Sequence, residues 1–186
     1  MDILQADIDE VRTRITAAAQ RVGRRADDVT LVAVSKTVAP ERIDEALAHG
    51  IAAFGESKVQ EAKAKIPLVS SRARWHMIGH LQTNKARDAV ELFELIHSVD
   101  SVKLAIELNK AAEHAGKTQP ILLEINVSGE SSKFGFKPED LGEALAQAVQ
   151  HEGKLYDFEI AVEEGATIVR IGTAIFGERI RHEPTE

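Results

Sequence analysis

The chain alternates between two apolar periodicities, and that alternation restricts its fold more than any other feature. Residues 2 to 22 place Leu4, Ile8, Val11, Ile15, Ala18 and Val22 at steps of three and four, which stack on one face of a helix. The next stretch, RADDVTLVAVSK, is polar at first and then nearly continuously apolar through Val29, Leu31, Val32, Ala33 and Val34. A run rich in β-branched residues without polar alternation suits a strand buried on both faces, as in a parallel sheet. The same two patterns then recur. PERIDEALAHG, opened by Pro40 and stopped by Gly50, predicts a helix, IAAFGE a strand, and SKVQEAKAKI a polar helix. WHMIG, LQTNKARDAVELF, ELIHSVD, SVKLAIELNKAAEHAG and QPILLEINV continue the alternation, the last being the most strand-like segment of all. PEDLGEALAQAVQ and the second half of HEGKLYDFEIAVEEG read as helices, and ATIVRIGTAIFG adds a sixth strand. Parallel strands need crossover connections, and the intervening helices supply them, so an α/β fold on a parallel sheet is expected.

The rhythm breaks once. Helices expected over residues 138–151 and 156–164 follow each other across HEGKL with no strand between them. Length points the same way, because a closed eight-stranded α/β barrel takes roughly 250 residues and at least ~200. With 186 residues, such a barrel is short of parts. There is no solenoid repeat, low-complexity run or Pro-rich linker, so residues 1–186 are expected to form a single domain.

Composition narrows the function. At 44% hydrophobic and 28% charged the chain is globular in character, and 23 Lys plus Arg against 30 Asp plus Glu leave a net charge of −7. That balance builds in no general attraction to nucleic acid or to an anionic membrane surface. The absence of cysteine excludes disulfides, thiolate metal sites and cysteine nucleophiles. The opening MDILQADIDEVRTRI lacks the basic-then-apolar order of a signal peptide, and no apolar run approaches the ~20 residues of a membrane span. A cytoplasmic protein without nucleic-acid or membrane partners is expected.

The candidate chemistry gathers at strand ends. Alternation along the first strand sets Val32, Val34 and Lys36 on one face, leaving a lysine at the C-terminal rim beside two apolar side chains. In parallel α/β barrels that rim is the active face. An amine withdrawn from water loses basicity, and the neutral amine is the form that attacks a carbonyl to make a Schiff base, although strand-terminal lysines are common and the position alone favours a solvated one. In VRIGTAIFG, Gly172 and Thr173 stand where the last strand passes into its loop, with two amides and a hydroxyl available to a phosphate. Arg170 shares a face with Ile168 and Gly172, where it either serves that phosphate site or pairs with a core carboxylate such as Glu124. Further polar groups recur at strand ends: Glu56 and Ser57, His80, Gln82 and Asn84, His97 and Asp100, and Asn126. Asn84 and Gln82 also suit helix caps, and Asp100 suits the N-cap of SVKLAIELNK. His76 and His80, at i and i+4, flank a strand and loop rather than one helix face, so no metal site is expected there.

Taken together, VAVSK, FGES followed by KVQE, WHMIGHLQTNK, IHSVDS, EINVSGESSKFGF and DFEIAVEEGATIVRIGTAIFG closely resemble the pyridoxal phosphate homeostasis proteins, the YggS/PROSC family. That family is related to the barrel domain of alanine racemases. The resemblance covers nearly the whole chain and implies a TIM-type (β/α) barrel carrying pyridoxal 5′-phosphate as an internal aldimine on Lys36. It implies that Arg170 faces the pyridine nitrogen, that Gly172 and Thr173 help to hold the phosphate, and that Ser57 and Asn84 lie near the cofactor. An arginine there leaves the ring nitrogen unprotonated and weakens the electron sink. A racemase also needs a second base, a tyrosine supplied by a separate β-domain, whereas the only tyrosine here is Tyr156. The resemblance therefore implies a monomeric carrier in vitamin B6 and amino-acid homeostasis, with pyridoxal-phosphate-dependent apo-enzymes as partners and no assigned turnover reaction. An amino-acid racemase or other Schiff-base enzyme, and an interrupted homologue that has lost the cofactor, are the alternatives.

The chain departs from the family twice. Ser57 stands where the family generally has Asn. Between Leu155 and Tyr156 the family continues through a strand, a long helix and a second strand ending in a Ser-x-Gly-Met-Ser motif, about two of eight barrel strands in all. The missing serines would supply phosphate contacts, which leaves the Gly172 and Thr173 half. Because the flanking motifs are intact, the segment is expected to be one left out of the sequence rather than one deleted from the gene.

Overall fold

The computed structural model describes residues 2–126, 130, 133–136, 158–163 and 165–177. Asp2 opens helix α1 (Ile3–Arg21), its carboxylate accepting from the amides of Leu4 and Gln5. The helix buries Leu4, Ile8, Val11, Ile15 and Ala18 as the spacing requires. Val22, expected on that stripe, is exposed, because the helix ends at Arg21 and Ala19 closes the buried face instead.

Strands β1 (Thr30–Val34), β2 (Ala53–Glu56), β3 (Arg74–Met77), β4 (Leu95–Val99), β5 (Ile121–Leu123) and β6 (Ile168–Ile171) form one parallel sheet in the order β5-β4-β3-β2-β1-β6. Helices α2 (Pro40–Ala48), α3 (Val59–Lys65), α4 (Ala86–Leu92) and α5 (Val102–His114) make the crossovers between the first five strands. Val32 and Ala33 are adjacent and both fully buried, as a strand covered on two faces demands. Ala33, Phe54, Trp75, Met77, Ile96, Val169 and Ile171 join the buried side chains of the helices in one apolar cluster. Registers of Val32 with Ala53 and Arg170, and of Gly55 with His76, place these residues on the opposite, concave face.

Helix α6 (Phe158–Glu163) packs along α1, held by ion pairs of Arg14 with Glu159 and of Arg21 with Glu163, and by Arg24 donating to the Val162 carbonyl. Helix α7 (Thr173–Phe176) follows β6 directly. QPILLEINV, the strongest strand signal, yields only three strand residues and an isolated bridge between Ile125 and Phe136. The register slips between Ile96 and Val99, and at the sheet edge Ile121 and Leu122 remain exposed.

The two edges of the sheet are β5 and β6. Two further strands would stand between them in an eight-stranded barrel, so the observed sheet is an incomplete TIM-type barrel. The full sequence runs directly from Leu155 to Tyr156. No residues stand at that junction for the strand, helix and strand that the family resemblance implies there. The helix expected over 138–151, together with Tyr156 and Asp157, lies outside the described residues. Among the described residues no helix is long and apolar enough to cross a membrane.

Candidate functional site

Parallel pairing brings the C-terminal ends of all six strands to one rim, so loops remote in sequence converge there. Lys36 leaves that rim two residues beyond β1, half-buried, and among the described residues its amine has no hydrogen-bond or ion-pair partner. Its neighbour Ser35 points the other way, towards the helices, where its hydroxyl donates to Glu56 Oε1 at 2.8 Å. The alternation of β1 sets Val32 and Val34 on the opposite, concave face, and Lys36 follows in the turn at the end of that strand.

Arg170 shares that face, in register with Val32. Its Nη1 donates to the Ile78 carbonyl at 3.4 Å, just past the end of β3. Strands β1 and β2 lie between, so a flat sheet would separate the two strands by about 14 Å, beyond one arginine side chain. The contact exists because the sheet curls into a trough that the guanidinium crosses. His76 and His97 lie on the same floor, with His97 Nε2 and His76 Nδ1 3.1 Å apart and ring centroids 5.1 Å apart. Burial, then His76, then the Arg170 cation push the His97 imidazolium down to about 3, and burial likewise lowers His76.

Both rings are thus held neutral, and the fold refuses protons that the unfolded chain accepts below about pH 6.5. Their contribution to stability is complete above that value and declines as pH falls below it, for His97 down towards 3, by up to about 1.4 kcal/mol per pH unit for each proton. The urea midpoint of wild type is expected to fall more steeply between pH 7 and pH 4 than that of His97→Gln. Parallel profiles would contradict it.

The last strand delivers the other candidate group. Gly172 is buried and caps α7, its carbonyl accepting from Ile175 and Phe176 at 3.0 and 2.9 Å. The amides that open a helix have no partner within it, which aims them away from the turn beside half-buried Thr173. Ser57 follows β2, half-buried, with its main chain packed against Gly79.

Asn84 is placed elsewhere. It is exposed and borders a hollow of about 790 Å³ at the ends of β3, β4 and β5, shared with His80, Gln82, Asp100 and Phe134. There His80 Nδ1 lies 3.0 Å from Asp100 Oδ2, and its ring stacks on Phe134 at 3.7 Å. Asp100 is not the expected N-cap of α5, because the hydroxyl of Ser101 takes the Leu104 amide. Neither Asn84 nor Gln82 caps α4 with its side chain, since a short 3-10 turn over Thr83–Lys85 precedes that helix. His76 and His80 face different partners, so their spacing brings no pair together.

Sequence reasoning missed a buried polar cluster beneath Lys36. Lys65 of α3, only 7% exposed, donates to Ser35 O, Glu56 Oε1 and Glu61 Oε1 at 2.8, 2.8 and 2.9 Å. Glu61 Oε1 also accepts from the Thr37 amide at 2.6 Å. Burial raises the carboxyl of Glu56 above its ordinary value, against hydrogen bonds from Lys65 and Ser35. Burial opposes the charge on Glu61 too, but Lys65 and the Thr37 amide outweigh it and hold that carboxyl below its ordinary value. The available signal was helical spacing, which sets Lys65 three residues after buried Ala62.

Residues 6–161 match the family model of the alanine racemase N-terminal domain. A pyridoxal phosphate homeostasis protein of Pseudomonas aeruginosa is 37% identical over 224 aligned residues, covering 96% of this chain and 97% of that protein. An alignment longer than this chain leaves several dozen positions of the relative facing a gap, as the missing strands require. The structure of PipY from Synechococcus elongatus with PLP bound superposes with a TM-score of 0.73 at 31% identity, covering 90% of this chain and all of that one. An alanine racemase of Clostridium difficile shares the fold at a TM-score of 0.54 and 15% identity, over 92% of this chain and 39% of its own.

Proposed function

This chain belongs to the pyridoxal phosphate homeostasis proteins, and from that premise we propose that it holds pyridoxal 5′-phosphate covalently through Lys36 as a cofactor reserve in vitamin B6 and amino-acid homeostasis. The observation that carries the reading is a half-buried amine without a partner among the described residues, at the same strand-end rim as a guanidinium that crosses the trough.

The donor set fits such a group. Lys36 supplies the amine, and Arg170 a permanent cation that favours an unprotonated ring nitrogen. Gly172 and Thr173 offer amides and a hydroxyl to the phosphate dianion, and Ser57 a further hydroxyl at the neighbouring strand end. Asn84 enters through the family resemblance alone, since its contacts lie in the other hollow. When bound, the cofactor supplies an electrophilic carbon and an electron-withdrawing ring. Arg170 restrains that withdrawal, and the neutral His76 and His97 add no positive charge, so the residues favour retention over turnover. A single-domain, cytoplasmic monomer that yields the cofactor to apo-enzymes is part of the same proposal.

Incubation with pyridoxal 5′-phosphate, reduction with borohydride and peptide mass mapping test the reading. One adduct per chain is expected on Lys36, and none in Lys36→Ala. No adduct in wild type, or equal labelling of the variant, would remove it.

A further inference from the structure

We infer that Glu61 is a positioning residue for Lys36, clamping the main chain on the lysine's C-terminal side while its partner Lys65 clamps the other; the inference rests on the reading of Lys36 above. The peptide group before Lys36 offers the Ser35 carbonyl, and Lys65 Nζ donates to it at 2.8 Å. The peptide group after Lys36 offers the Thr37 amide, and it donates to Glu61 Oε1 at 2.6 Å. The two side chains stand one turn apart on α3 and bond to each other at 2.9 Å. Both dihedral angles of Lys36 are therefore bracketed by one ion pair, and the direction in which its side chain leaves the rim is set from α3.

The backbone shows that this arrangement is imposed. Thr37 is the one non-glycine residue at positive φ among the described residues, with φ 64. A β-branched residue is strained there and persists only where its surroundings over-determine it. The charged acceptor on its amide is such a determinant, and hydrogen bonds to ionised groups are roughly twice as strong as neutral ones. Behind it the pair is anchored by Glu56, which is fully buried and takes bonds from both Ser35 and Lys65. An amine on a free loop would sample many directions; one on a clamped loop is presented towards the trough that Arg170 crosses.

Three proteins separate positioning from mere support: wild type, Glu61→Ala, and Glu61→Gln, which keeps a neutral oxygen for the Thr37 amide. With thermal unfolding measured in parallel, Glu61→Ala is expected to slow borohydride-fixed attachment of pyridoxal 5′-phosphate at Lys36 by roughly tenfold or more. Glu61→Gln is expected to recover most of that rate. Glu107→Ala, which removes an exposed ion pair with Lys110 on α5, is expected to leave it unchanged. A folded Glu61→Ala that attaches the cofactor at the wild-type rate overturns the inference. Should that variant fail to fold, hydrogen exchange in cofactor-free wild type decides: the Thr37 amide is expected to be protected at least about tenfold relative to an open loop, and unprotected exchange overturns the clamp. A wild type that takes up no cofactor refutes the reading of Lys36, whereas wild-type attachment with an indifferent Glu61→Ala refutes the clamp alone.

Discussion

Lys65→Met is expected to destabilise the chain by about 3–5 kcal/mol in urea unfolding at neutral pH, the range for breaking a buried ion pair from one side. The ammonium it removes is the donor to Ser35 O, Glu56 and Glu61. Methionine fills a similar volume, so little of the loss comes from packing. Most comes from Glu56, whose side chain is fully buried and whose Oε2 already has no partner among the described residues. Without Lys65 that carboxyl must either stay charged in an apolar layer or take a proton, and both are costly. The double variant Lys65→Met with Glu56→Gln is accordingly expected to regain part of the loss. A single variant within about 1 kcal/mol of wild type would contradict the ion-pair account, since that is the scale of exposed pairs.

Gly79→Ala is expected to cost about 3 kcal/mol or more, at the upper end for overpacking, because the methyl group has nowhere to go. A Cβ at Gly79 would run into the Ser57 carbonyl oxygen and lie 2.8 Å from the Ser57 Cα. Both are main-chain atoms, so the ends of β2 and β3 would have to part. That would strain the bond from the Ile78 amide to Glu56 O at 2.9 Å and the one from the Ser98 hydroxyl to Gly79 O at 2.6 Å. Gly55 makes an instructive contrast: the three atoms nearest its Cβ would all belong to the side chain of Ile78, the closest at 2.8 Å, and that side chain can rotate. Gly116, at φ +64 with open space around it, should cost only about 1–2 kcal/mol as alanine, from the left-handed backbone alone. Urea midpoints in the order Gly116→Ala, Gly55→Ala, Gly79→Ala from most to least stable are expected. A Gly79→Ala protein as stable as Gly116→Ala would show that the β2–β3 rim is looser than the backbone spacing implies.

Much of this architecture was legible beforehand. The spacing of Leu4, Ile8, Val11 and Ile15 announced α1, and the unbroken apolar run at Val32 to Val34 announced a doubly covered strand. Lys36 and Arg170 emerged from alternation alone, because a period of two assigns each residue to a face before its neighbours are known. The register of Arg170 with Val32 agrees with that reading for the arginine. Other expectations failed where a boundary decided the outcome: Val22 fell just beyond the end of α1, and Ser101 took the cap expected of Asp100. QPILLEINV shows that strand propensity does not ensure pairing, since a ladder also needs a partner in register.

Among the described residues, the sequence by itself determined which segments are helices and strands and their order, because burial periodicity and motif order are written along the chain. Only the tertiary structure decided what lies beneath Lys36. Lys65 reads locally as one more solvated lysine on a polar helix, and its i, i+4 partner Glu61 as an ordinary surface pair. Crossover packing brings them against Ser35 and Thr37, where a desolvated charge must find partners. The trough contact of Arg170 with Ile78 belongs to the same class, 92 residues apart in sequence and joined only because the sheet curls. Pairings of that range carry no periodic trace, since they depend on where whole elements come to rest.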